Sequence, residues 1–262
     1  GDVSPRGERC YHSGAEAMAE VTFLGTGSAF TSPQRYWSGF LVNGRYLFDC
    51  PPTALPHLKR LGLPPSQVRA VFIPHFHGDH FMGFPFLVLE YCYLSPRRDD
   101  LYVVTPPGGG PFLEDFLDRC FPDLSRQYVG YRRIYLEADE SGPLMVDDLR
   151  IWARAVQHAT GKLRCFGYRV ELPDLTLAYS GDAELSYALV ELAEGADVVV
   201  VDCTYAQQGP EHMGLADILQ LRRSLHPRTL LVLTHLGEEF TSAGLANTMV
   251  ARDLATYSFR RA

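Results

Sequence analysis

Six consecutive residues, His75-Phe76-His77-Gly78-Asp79-His80, put three imidazoles and a carboxylate into one short segment. Imidazole nitrogen and carboxylate oxygen are the donors that borderline divalent cations such as Zn²⁺, Mn²⁺ and Fe²⁺ take. In an extended or turning segment His75 and His77 can point to the same side. A tight turn at Gly78 then aims Asp79 and His80 at a second point nearby, so one loop can hold two cations. His158, Asp182 and His235 each follow a predicted strand and bring the candidate ligands to seven, enough for two metals that share a bridge. Of the remaining histidines, His12, His57 and His226 have no polar cluster around them and read as surface or core residues. His212, in Glu211-His212-Met213-Gly214, sits in a Gly-flanked loop shortly before a helix, where a cap and a catalytic role are both open.

The elements that must position these groups follow from hydrophobic periodicity. Strands are expected at 21–24, 39–43 and 46–49, the last two joined by Asn43-Gly44, a strong hairpin signal. Further strands are expected at 68–73, 101–104, 149–156, 167–172, 175–179, 198–201 and 229–233. Helices are expected at 54–61, 112–120, 185–194 and 215–225. The aromatic stretch Phe81 to Tyr93 suits a core helix or an apolar interface. Pro107-Gly108-Gly109-Gly110-Pro111 resembles a phosphate-binding loop but lacks the Lys-Ser/Thr that would complete one, so it reads as a strand-to-helix turn. Three polar clusters, at His75, Asp182 and His235, come directly after strongly apolar strands. That places them along one edge of the sheets, where α/β proteins tend to build sites.

The bulk properties narrow the function classes. A chain of 262 residues with 46% hydrophobic content buries a sizeable core without metal or disulfide staples, so a metal here serves chemistry rather than folding. The formal charge of −7 weighs against a whole surface devoted to nucleic acid, which needs dense Lys and Arg. Six scattered cysteines without a CxxC read as reduced thiols, and the expected compartment is cytoplasmic. No apolar run approaches the ~20 residues of a membrane span, and no membrane partner is expected. Residues 1–19 read as a loose extension without a signal-peptide core, and 20–262 as a single domain.

The hexapeptide, with Phe23-Leu24-Gly25-Thr26-Gly27-Ser28 and Phe48-Asp49-Cys50, resembles the metallo-β-lactamase superfamily. The likeness is closer to its ribonuclease Z-like branch, carried by Phe81-Met82-Gly83-Phe84-Pro85 after HGDH, the Ser180-Gly181-Asp182 turn, Asp202-Cys203-Thr204-Tyr205, a following His, and Thr234-His235. It runs in order from about residue 20 to 240. The resemblance implies an α/β (α+β) fold, a four-layer αββα sandwich with the site along one edge of the paired sheets. It implies two divalent metal ions, Zn or Mn/Fe. One is held by His75, His77 and His158, the other by Asp79, His80 and His235, and Asp182 bridges them. His77 stands where redox relatives carry Glu, which favours hydrolysis. By the same resemblance Asp79 also orients the nucleophile, and His212 contacts the phosphoryl oxygen and acts as acid for the leaving group.

Ribonuclease Z carries a long Gly- and basic-rich arm that grips tRNA between the positions matching His158 and Asp182. Here the interval is short, so the chain is more similar to the armless relatives, which include small cyclic phosphodiesterases. A small-molecule phosphoester substrate is expected rather than long RNA, with a homodimer as the assembly seen among relatives. The same fold also supports ester, lactone or thioester hydrolases, and non-hydrolytic relatives of quinone-cofactor biosynthesis. In the Ser28 to Ser38 loop Arg35, Tyr36 and Trp37 suit either gating and stacking on a ligand or packing. The pairs Arg97-Arg98 and Arg132-Arg133 suit phosphate steering or a solvated surface.

Overall fold

The computed structural model describes residues 18–240 and 245–261. The stretch read as an N-terminal extension lies outside them except for its last two residues, and Ala19 already opens the first strand. The first sheet takes β1 (Ala19–Gly25), β2 (Gly39–Val42), β3 (Tyr46–Phe48), β4 (Ala70–Phe72), β5 (Leu101–Thr105) and β6 (Arg133–Glu137). The second takes β7 (Leu144–Val146), β8 (Leu149–Ala155), β9 (Phe166–Glu171), β10 (Thr176–Tyr179), β11 (Val198–Asp202), β12 (Leu230–Thr234) and β13 (Thr248–Val250). A last strand, β14 (Thr256–Phe259), returns to pair with β1, giving each sheet seven strands.

Adjacent residues of these strands go to opposite layers, as the pleat requires. Phe23, Phe40, Phe48 and Phe72 face the second sheet and meet Tyr168, Tyr179 and Val200. Leu24, Leu41, Leu47 and Val71 face outward. There they are covered by α1 (Ala54–Arg60), α3 (Phe84–Tyr93) and α4 (Gly109–Cys120). On the other sheet Val199, Val201, Leu231 and Leu233 pack under α5 (Tyr187–Ala193) and α6 (Leu215–Ser224). The Val-Val-Val-Val run of β11 is thus a strand buried on both faces between two parallel neighbours, which is why it does not alternate with polar residues. The four layers are those the resemblance implies.

β3, β4, β5 and β6 run parallel, as do β10, β11, β12 and β13. Their C-terminal ends therefore line one edge, and the short helix α2 (Gly78–Phe81) sits there. The aromatic stretch after it is a core helix on its inner face, with Phe84, Leu87, Val88 and Tyr91 buried, while Phe86 and Tyr93 stay exposed. Gly108 (φ 81°) makes the turn into α4, and its N–H donates to Glu137 Oε1 (2.7 Å), so the Gly-rich stretch is a turn. Arg97 is buried and donates to Val68 O (2.6 Å), Arg132 pairs with Asp100 and Arg133 with Glu114. These arginines serve the scaffold.

Gly83 joins α2 to α3 where the chain crosses Cys50-Pro51, and a Cβ on it would sit 1.9 Å from Pro51 O. Overpacking of this kind costs about 1–3 kcal/mol or more. Gly83→Ala should therefore lower the urea midpoint without altering the denaturant slope. An unchanged midpoint would show that the crossing gives way freely.

Candidate metal centre

Three of the histidines converge at their ring nitrogens. His77 Nδ1 lies 2.9 Å from His75 Nε2 and 3.1 Å from His158 Nε2, at a point reached from the ends of β4 and β8. Asp79 and His80 lie in the first turn of α2. His80 Nε2 is 3.2 Å from Asp79 Oδ2 and 3.1 Å from Asp182 Oδ2. His235, after β12, brings Nε2 to 3.4 Å from Asp79 Oδ2 and 3.3 Å from Asp182 Oδ1. Donor atoms of His75, His77, His158 and Asp182 lie within 4.8 Å of one another, as do those of Asp79, His80, Asp182 and His235. Asp182 belongs to both groups, and all seven residues singled out in the sequence meet here.

The outer nitrogens of His80, His158 and His235 are engaged elsewhere, which fixes the inner nitrogen of each as a lone pair. His80 Nδ1–H donates to Asp49 Oδ1 (2.8 Å), and Tyr179 OH donates to the other oxygen of that carboxylate (2.5 Å). His158 Nδ1–H donates to Glu211 O (2.8 Å). His235 Nδ1–H donates to Thr204 Oγ1 (3.0 Å). Asp182 Oδ1 is buried with no hydrogen-bond partner among the described residues. Inward-facing lone pairs and an unpartnered buried carboxylate oxygen suit two divalent cations. Asp49 and Thr204 carried no assigned role in the sequence. Asp49 sits 31 residues from the ring it holds, and its one local signal is an acid that ends an apolar strand.

Charge follows the same arrangement. Burial and the neighbouring His80 hold His75 well below the ordinary imidazole value. Burial opposes the charged form of His80 as well, yet Asp182, Asp49 and Asp79 around it hold it well above that value. Burial likewise opposes the charge on His235, but Asp182 and the hydrogen bond to Asp79 push it up to about 9.

His212 packs between His158 and His235, with ring centroids 4.7 and 5.2 Å away. Its Nδ1 lies 2.6 Å from Asp202 Oδ2. Asp202 ends β11, is fully buried, and is itself fixed by Ala183 N (3.1 Å) and Thr204 Oγ1 (2.8 Å). Burial lowers the His212 value, but the bond to Asp202 and its charge more than offset this, and the imidazole is raised. The histidine in question is therefore not a helix cap; α6 begins three residues later. Of the others, His57 Nδ1–H donates to Leu24 O (2.7 Å), Arg228 N donates to His226 Nδ1 (3.2 Å), and His12 lies outside the described residues.

These groups open into a cavity of about 740 Å³, also lined by Phe30, Tyr205, Glu211 and Glu238. Arg35, Tyr36 and Trp37 do not line it. Arg35 pairs with Glu239 (2.6 Å), Tyr36 packs edge-on against His57 at 4.6 Å, and Trp37 Nε1–H donates to Ala29 O (3.0 Å). Their role is packing, and the residues of that loop that reach the cavity are Ser28, Ala29 and Phe30. A larger groove, about 1120 Å³, lies at the opposite ends of the strands, where Arg69 is paired with Asp99 and Asp147. The described cysteines are all free thiols, and among the described residues no helix is long and apolar enough to cross a membrane.

Residues 19–250 match the family described as anti-Pycsar protein Apyc1. Ribonuclease Z of Methanosarcina acetivorans is 26% identical over 274 residues, covering 86% of this chain and 89% of that one. Ribonuclease Z of Salinibacter ruber is 32% identical over 158 residues, 58% of this chain but 47% of its own. The chain thus spans about half the length of that relative. The crystal structure of human tRNase Z, short form (ELAC1), superposes with a TM-score of 0.74 at 25% identity over 92% of this chain and 99% of that one.

Proposed function

The chain belongs to the family described as anti-Pycsar protein Apyc1, within the ribonuclease Z-like branch of the metallo-β-lactamase superfamily, and from that premise we propose that it is a metal-dependent phosphodiesterase of small cyclic nucleotides. The observation that carries this is the meeting of two ligand groups at Asp182 beside an Asp202–His212 pair in one cavity. His75 Nε2, His77 Nδ1 and His158 Nε2 would hold one cation, Asp79, His80 and His235 Nε2 the other, and Asp182 would serve both. Two divalent cations so held would draw charge off the scissile oxygen and lower the pKa of a bound water toward ~7, supplying hydroxide at neutral pH.

The protein's own groups do the rest. Asp79 accepts a hydrogen bond and so orients the attacking nucleophile. Asp202 holds His212 by Nδ1 and favours its charged form, and the ring, which lines the cavity, contacts the phosphoryl oxygen and passes a proton to the leaving alkoxide oxygen. Two features favour a small substrate over tRNA. The interval from His158 to Asp182 holds one turn and the β9–β10 hairpin, and no arm. Among the described residues no Lys or Arg lines the cavity, so nothing there would track a polyanionic backbone.

The test is metal reconstitution after chelation, followed by 3′,5′- and 2′,3′-cyclic nucleotides, precursor tRNA and p-nitrophenyl acetate as substrates. Cyclic nucleotide turnover that vanishes on chelation and returns with Mn²⁺ or Zn²⁺ is expected. Turnover of the acetate alone would replace the reading with an ester hydrolase, and of tRNA alone with a processing nuclease.

Removing the cations also has a pH-dependent cost. His235, raised to about 9, and His80, also held well above its ordinary value, contribute stability that is complete below the unfolded value near 6.5. That contribution is lost as pH rises through the folded value. The stripped protein should therefore lose melting temperature between pH 6.5 and 9. The loaded protein should not, and the stabilisation by added metal should grow across that window. A metal-induced shift in melting temperature independent of pH would contradict it.

A further inference from the structure

Phe30 is 94% exposed, an unusual position for a phenylalanine, and the loop that presents it is tied on every side. Thr31 N donates to Ser28 O (2.9 Å), and Ser28 N donates to Leu236 O (3.0 Å). Trp37 Nε1–H donates to Ala29 O (3.0 Å). Thr31 itself is left-handed at φ 54°, a costly conformation for a β-branched residue. Arg35 anchors the far arm of the loop through Thr26 Oγ1 (2.7 Å), Ala251 O (2.9 Å) and the Glu239 carboxylate. Tyr36 N donates to Asp253 Oδ2 (2.6 Å). The loop that carries this apolar ring is thus fixed at the mouth of the cavity, where the ring's contacts come from whatever enters.

The other rim residues indicate what that is. Glu211 and Glu238 line the same mouth, the Glu238 carboxylate accepting from Ala206 N (2.6 Å). A second phosphate placed among these acids without a cation would be repelled. A neutral, flat heterocycle would not, and it gains by stacking on the ring face.

We propose that Phe30 is the platform on which the planar base of the substrate stacks, a specificity-determining residue that selects a base-bearing monoanionic phosphodiester. This deepens the cyclic-nucleotide reading and rests on it. Because the side chain is almost wholly in solvent, Phe30→Ala leaves the fold intact, and circular dichroism with thermal melting checks that.

The experiment measures binding to the metal-loaded full chain by calorimetry. It uses two probes: a 3′,5′-cyclic nucleotide phosphorothioate, and the 3′,5′-cyclic phosphate of ribose lacking a base. From the usual strength of base–aromatic stacking, Phe30→Ala should weaken the nucleotide about 5- to 150-fold. The wild-type preference for the nucleotide over the baseless probe should shrink by that factor, and Phe30→Trp should restore it. A preference unchanged in Phe30→Ala, or absent from the wild type, overturns the platform whether or not cyclic nucleotides are hydrolysed. A preference that depends on Phe30 in a protein that turns over no cyclic nucleotide would instead overturn the proposed reaction and leave the platform standing.

Discussion

Asp182→Ala is expected to remove both cations and to lower phosphodiester turnover by at least ~10³-fold, since a metal pair supplies several kcal/mol of transition-state stabilisation and each 1.4 kcal/mol is about tenfold. Its Oδ2 lies 3.7 Å from His75 Nε2, 3.7 Å from His158 Nε2 and 3.1 Å from His80 Nε2, and its Oδ1 lies 3.3 Å from His235 Nε2. Among the described residues, Asp182 is the side chain common to the two ligand groups. Its charge is also a leading cause of the raised His80 and His235 values. Without it, three ligands remain on one side and three on the other, with no shared carboxylate to offset two dications. Metal content should fall from two per chain to well below one at micromolar metal, and elemental analysis after gel filtration reads this directly. His77→Ala is the informative contrast, because it touches one group only and should leave the Asp79, His80, His235 side able to load. An Asp182→Ala protein with two metals and turnover within tenfold of wild type would sink the bridging assignment.

How much of this centre the sequence exposes depends on where each group sits relative to an apolar run. His75, Asp182 and His235 are legible because β4, β10 and β12 are short, buried and parallel, so a polar residue placed just after them can only lie on the common edge. Asp49 and Thr204 act through rings that lie 31 residues away in sequence, and no local pattern records such a contact. Asp202 ends an all-valine strand, which marks it as buried but not as the partner of His212. The strands that periodicity missed are β6, β7, β13 and β14. None is a fully buried run, and several of their residues are half-exposed, so the apolar signal is diluted. The Ser28 to Ser38 loop illustrates the remaining gap. Aromatic content pointed to Tyr36 and Trp37, yet those rings are used for packing, and the ring that lines the cavity is Phe30. Exposure is set by the hydrogen bonds that fold the loop, and composition does not carry it.

The second large effect is expected at His212, where the size of the loss should depend on the leaving group. A cyclic nucleotide expels a ribose alkoxide, which needs a proton as the P–O bond breaks, and a positioned acid contributes about 10²–10⁴-fold to such a step. His212→Ala should therefore lower kcat on a cyclic nucleotide by about that factor with both metals retained, because its Nδ1 is spent on Asp202 and it belongs to neither of the two groups assigned the cations. Bis-p-nitrophenyl phosphate expels a nitrophenolate that leaves without protonation, so the same variant should lose much less on it. The alanine also strips a buried Asp202 oxygen of its imidazole partner, a cost of about 1–3 kcal/mol that lowers the melting temperature without emptying the site. Asp202→Asn separates the two effects. It keeps the shape of the pair but removes the charge that holds His212 protonated. The alkaline limb of the cyclic nucleotide pH–rate profile, where the acid loses its proton, should then move to lower pH. Equal losses on both diesters in His212→Ala, together with an unmoved alkaline limb in Asp202→Asn, would leave His212 as a phosphate contact and assign the proton to another donor.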